Sequence, residues 1–300
     1  LSTAERTIEK LEASKTTGAM VDYTKAVLAF AKRDFKRADE LAQVAAADTK
    51  SYIPATFLMA RIRAADGRFQ EAIELVSKVC RQQPSNPTAV LFLARLYGET
   101  GEWAKTEAVC RQYLQDQSAD RSMRLLLARA LLARGGDARS KEAGEIAWSV
   151  FQEGLRGGEE LEAVMNILFA AGLSDRCRQI IAQFESQGSA PDNLLAIGRA
   201  SFIAGDFATS ARLADQVLVA QPKNIDALML AADTETRLGA QSDDASHYEK
   251  GASLYDRILA IDKTSTAAAN NLAWTQGILL GKEQRGLETI LRYIPAAGEL

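Results

Sequence analysis

Small residues mark the chain at a fixed interval. Ala26, Ala60, Ala94 and Ala128 form one series and Ala38, Ala72 and Thr106 a second, every step being 34 residues. In AADGRFQEAIELVSKVCRQQP the pattern predicts a helix that ends at Gly67, where a residue without a Cβ suits a left-handed turn. A second helix then runs from Phe69 until Pro84 stops it. Gly101, Trp103 and Thr106 repeat Gly67, Phe69 and Ala72, and Gly135, Gly172, Gly205 and Gly239 stand at the same turn in later copies. The first complete copy has Arg33 there; Phe35 and Phe207 hold the aromatic position, and Pro222 matches Pro84 as terminator. A two-helix unit of this length cannot bury its apolar face alone and must stack on its neighbours, so the period predicts a helical repeat array.

The small-residue rule survives where the spacing slips. The first-helix series continues as Met165, Gly198, Ala232 and Ala273, and the second-helix series as Ala143, Cys177, Ser210, Gly251 and Gly286. Small side chains at both sites let paired helices approach near the lower end of the roughly 8–10 Å range of interaxial distances. Met165 alone breaks the pattern.

FLMARIRAADGRFQEAIELVSKVCRQQP and IGRASFIAGDFATSARLADQVLVAQP carry small, glycine, aromatic, small and proline residues in the order and spacing of the tetratricopeptide repeat, and the chain resembles that family over essentially its whole length. Sel1-type repeats, whose units are usually a few residues longer, fit less well. The resemblance implies an all-α, right-handed α-solenoid of stacked antiparallel helix pairs, with units starting near Ala19, Ile53, Pro87, Arg121, Gly158, Pro191, Ile225 and Thr266. We therefore expect a single array over residues 1–300. Residues 1–18 are the second helix of a truncated preceding repeat, 19–134 regular repeats, 135–190 degenerate repeats with a flex point, and 191–300 repeats with an insertion at 240–250. Ser2 to Glu12 reads as a second helix without its first, and Leu1 is not an initiator methionine, so the expectation is a piece of a longer protein. The insertion, rich in Ser, Asp and Gln, is expected to loop out or extend the helix ends without disturbing the stack.

Composition removes function classes more than it adds them. Hydrophobic residues make up 47% and charged residues 25%, ordinary for a globular chain. The net charge of −3 gives no global attraction to nucleic acid or to anionic membrane. No apolar run reaches the ~18 residues that a membrane span needs. Cys80, Cys110 and Cys177 are widely spaced, and the last two fall on core positions of second helices; inert core thiols favour a reducing, cytoplasmic compartment over a periplasmic one. His247 is the one histidine, in the polar stretch QSDDASHYEK, and is expected as a surface residue without the further ligands a zinc site needs. Asp243 and Asp244 are read as solvated loop acids. With no glycine-rich phosphate loop and no H-E-x-x-H, we expect no enzyme, no cofactor and no metal.

What remains is a surface. The resemblance implies that the first helix of each unit lines a concave groove, with unit positions 2, 5, 9, 12 and 13 facing the ligand. Position 9 is Arg61, Arg95 and Arg129, then Asn166, then Arg199. Neighbouring first helices about 10 Å apart would make the first three a basic ladder of about 20 Å, suited to an extended acidic peptide. A planar guanidinium fork binds carboxylates in bidentate fashion. The alternative is that these arginines pair internally, with Glu99 an available partner of Arg95. Position 5 is apolar, as Tyr23, Phe57, Leu91, Leu125, Leu195 and Met229, so Tyr23 and Phe57 join the arginines as candidate partner contacts. The family's carboxylate clamp for chaperone C-termini, built on lysine and asparagine, is not matched. Asp233 and Trp274 replace the ladder arginine in the last two units, reversing polarity. AAANNLAW resembles stretches common in long bacterial members of the family, some attached to exopolysaccharide export or cell-envelope assembly. The expected function is a scaffold binding a protein or peptide, with no nucleic acid and no direct membrane insertion and with the oligomeric state open. The alternative is a structural spacer or assembly array within a larger protein.

Overall fold

A computed structural model describes Arg6 and residues 18–48, 53–186 and 190–294. The helix expected at the start of the chain lies outside these, Arg6 excepted. The described residues hold helices and no strand. The first helices of the repeats are α1 (Ala19–Ala31), α3 (Ile53–Ala65), α5 (Pro87–Glu99), α7 (Arg121–Arg134), α9 (Gly158–Ala170), α11 (Pro191–Ile203), α13 (Ile225–Ser242) and α15 (Thr266–Trp274). The second helices are α2 (Phe35–Asp48), α4 (Phe69–Gln82), α6 (Trp103–Asp116), α8 (Asp137–Gln152), α10 (Ser174–Ser186), α12 (Phe207–Ala220), α14 (Ala245–Ile261) and α16 (Glu283–Tyr293). The chain divides into two compact units, residues 1–139 and 140–300, each an all-α stack of helix pairs.

Turn chemistry joins each pair. At Gly67 the backbone is left-handed (φ 76°), Arg68 N–H reaches back to the carbonyl of Arg63 at 2.8 Å, and Gly67 N–H donates to Ala64 at 3.1 Å. This is the Schellman pairing that satisfies orphan carbonyls at a helix end. It recurs at Gly101, Gly172 and Gly205. Arg33 makes the same bonds at φ 61° while carrying a Cβ that crowds its own carbonyl. Changing Arg33→Gly should therefore stabilise unit 1 by about 1 kcal/mol, read as an upward shift in the denaturant midpoint at constant slope.

Packing explains the small-residue series. Ala26, Ala60, Ala94 and Ala128 are fully buried, as are Ala38, Ala72 and Thr106. The two series meet: Thr106 Oγ1 donates to the carbonyl of Ala94 at 3.2 Å, and a Cβ on Gly251 would lie 3.2 Å from the carbonyl oxygen of Ala232. In unit 1 one cluster joins Ala60 of α3, Ala72 and Val76 of α4, and Ala89 and Leu93 of α5. A second helix in these clusters is buried by the first helix of its own repeat and that of the next, as α4 is by α3 and α5 and α14 by α13 and α15, and a lone pair would leave one face wet. Met165 is fully buried despite its size.

Two expectations need correction. Gly239 is not a turn residue. It lies inside α13, buried, where a Cβ would meet the Tyr248 ring at 2.7 Å. The insertion lengthens α13 and α14, and the left-handed position moves to Asp243 (φ 54°), with Asp244 capping α14 through Ser246 N–H at 2.9 Å. His247 is likewise no free surface residue: its Nδ1 is 2.6 Å from Oε2 of the buried Glu235, whose Oε1 accepts from Lys250 Nζ at 2.6 Å. The added turns fold against the stack because they supply these partners to a carboxylate that would be costly to bury alone.

Candidate binding surface

Position 9 follows the buried small residue by one step along the first helix, about 100° around its axis, which turns the side chain out of the helix pair. Arg61, Arg95 and Arg129 are accordingly exposed on α3, α5 and α7. Among the described residues none of the three is held by a carboxylate. Arg61 lies over the Phe30 ring, 5.3 Å from its centroid. Glu99 makes no ion pair with Arg95. Other arginines of the same unit are tied down: Arg63 to Asp39 and Glu71 (3.5 and 3.0 Å), Arg68 to Asp39 and Asp66 (3.4 and 2.9 Å), and Arg111 and Arg134 to Glu107. The two guanidiniums on Glu107 hold its carboxyl below the usual range against the opposing effect of its desolvation.

Arg199 departs from this set. Its Nε donates to Glu162 Oε2 at 2.8 Å, an ion pair from α11 to α9 within unit 2. It is therefore an inter-repeat link, and the exposed set on the described residues is Arg61, Arg95 and Arg129.

The apolar position-5 residues are partly or wholly buried. Tyr23 is half-buried against the cluster of Ala26, Ala38 and Leu58, and Phe57 packs edge-on against Phe92 with centroids 5.6 Å apart. Leu125 and Leu195 are buried. Exposed apolar surface on the first helices of unit 1 comes instead from Met20 and Val27 of α1. Met20 and Val27 stand at unit positions 2 and 9 of the first repeat, Val27 one repeat before Arg61.

Among the described residues no three His, Cys, Asp or Glu side chains gather as a metal site. The thiols are free, and burial pushes Cys110 up to about 12 and Cys177 to about 11, so neither is a thiolate at neutral pH. No described helix is long and apolar enough to cross a membrane.

Two tetratricopeptide repeat models match, over residues 23–87 and 63–130. No curated protein sequence matches the chain. Among solved structures, the fold is similar to that of a tetratricopeptide repeat protein from Parabacteroides merdae (TM-score 0.58, 14% identity, covering 86% of this chain and 98% of that one). It is also similar to a chain in the APC/C hetero-tetramer Cut9–Hcn1 (TM-score 0.53, 11% identity, covering 91% of this chain and 46% of that one). At these identities the likeness concerns the fold.

Proposed function

Because this chain belongs to the tetratricopeptide repeat family, whose repeats are generally protein–protein interaction modules and typically non-enzymatic, we propose that it is a scaffold that holds an acidic segment of a partner protein on Arg61, Arg95 and Arg129. The observation that supports this is the contrast within unit 1. Three equivalent positions in successive repeats present guanidiniums with no carboxylate, while neighbouring arginines are ion-paired. A repeating cation at repeat spacing favours an extended ligand with carboxylates along its length, since each fork can take one bidentately. Met20 and Val27 would seat an apolar residue at one end of that segment.

The test is titration of the chain with a labelled peptide of alternating glutamate and leucine at low and high salt. Binding that weakens with salt and is lost when Arg61, Arg95 and Arg129 become alanine supports the assignment; an unchanged Kd in the triple variant overturns it.

A further inference from the structure

Unit 2 turns the polarity around. At the ladder position of the seventh repeat stands Asp233, on α13, and at that of the eighth stands Trp274, which ends α15 and is 58% exposed. Both line a cleft of about 430 Å³ whose walls include Phe202, Arg237, Tyr255 and Asn271. Directly after Trp274 the helix widens into a π turn, Leu280 N–H bonding the carbonyl of Thr275 at 2.9 Å, and such turns are frequent at functional sites.

Asp233 is half-buried. Its Oδ1 accepts from the Tyr255 hydroxyl at 2.5 Å and from Asn271 Nδ2 at 3.3 Å. Desolvation raises its carboxyl above the usual range against the effect of these two bonds and of Arg237 one turn along the helix. The Tyr255 phenol is pushed up by burial and by the Asp233 charge, which keeps it a donor. Yet among the described residues no lysine or arginine forms an ion pair with Asp233, and Arg237 stays exposed at the rim. A desolvated carboxylate fixed by two neutral donors, with an exposed indole on the same cleft, is complementary to a cation on an aliphatic stem.

We propose that this cleft takes a lysine or arginine side chain of a partner peptide, its cationic head on Asp233 and its stem across Trp274. The proposal rests on the chain being an interaction module but is independent of the arginine face of unit 1. Arg237 is then a competing cation whose removal favours the ligand.

The experiment uses the full chain and two labelled, end-capped peptides, one alternating lysine and leucine, the other glutamate and leucine. Asp233→Asn keeps the Oδ1 acceptor for Tyr255 and Asn271, so it should melt at or above the parent temperature. It should nonetheless bind the lysine peptide about 10- to 100-fold more weakly. Trp274→Ala should weaken it about two- to fivefold, and Arg237→Ala should leave it unchanged or tighten it. The triple arginine variant of unit 1 should bind the lysine peptide like the parent, and Asp233→Asn should bind the glutamate peptide like the parent, so the two sites fail separately. Equal binding of the lysine peptide by the parent and Asp233→Asn, or no binding by the parent, overturns the proposal. So does loss of glutamate-peptide binding in Arg237→Ala with the lysine peptide inert, which would make the cleft an anion site.

Discussion

Replacing Arg61, Arg95 and Arg129 together with alanine is expected to weaken binding of an acidic peptide by about three orders of magnitude while moving the melting temperature by a few degrees at most. A charge-assisted hydrogen bond is worth about 1.5–3 kcal/mol, and the open, solvated face places these contacts at the low end. Three of them, at about 1.4 kcal/mol per decade, give that loss. The small effect on folding follows from exposure. None of the three guanidiniums is ion-paired within the described residues, and surface changes of this kind usually stay within about 0.5 kcal/mol. The exception is Arg61, whose stacking over Phe30 is worth about 0.5–1 kcal/mol. Lysine at all three positions should retain the salt dependence but bind less tightly, because the bidentate fork is gone. Unfolding of the triple variant, or an unchanged Kd at equal salt, would show that the arginines are packing devices.

Gly251→Leu is expected to be the most damaging single change, lowering the stability of unit 2 by about 3 kcal/mol, the upper end for overpacking. For a unit of this size that is a fall of about 10 °C in Tm. The cause is close approach rather than backbone conformation. Gly251 is helical and buried, and an added Cβ would lie 3.0 Å from Thr236 Oγ1 and 3.2 Å from the carbonyl oxygen of Ala232, so a leucine has to push α13 and α14 apart. That separation would also pull Lys250 and His247 from Glu235, leaving a buried carboxylate unpaired. Gly286→Leu meets backbone more closely still, 2.8 Å from the carbonyl oxygen of Ala273. There, hydrogen exchange should show α16 opening while α13 and α14 stay protected. A Gly251→Leu variant that melts like the parent would mean the helices tolerate a wider spacing than the small-residue series implies.

The sequence by itself determined the helix pairs, because everything that defines them is local or repeats. A left-handed glycine, a terminating proline and a small residue at a fixed interval act within a few positions of themselves, and successive repeats restate enough of that signal for it to be read. The caps are equally local: Asn86, Asp120, Asn224 and Ser265 each accept from the backbone N–H three residues on, at the start of a first helix. Gly239 misled because a glycine that permits a left-handed turn and one that admits a neighbouring ring are the same letter, and only the Tyr248 ring packed on α13 tells them apart.

The tertiary structure decided which charges are spoken for. Arg129 and Arg199 occupy the same position of their repeats, but Glu162 lies within reach of one and no carboxylate reaches the other, a matter of residues 37 apart in sequence. His247 and Glu235 are joined because the insertion folds back as helix, and Asp233 is desolvated because Tyr255 and Asn271 close over it from two other helices. Periodicity fixes where a side chain leaves its helix. Whether it finds water, a partner or a ring there depends on what the neighbouring helices bring, and that is set by packing across the stack.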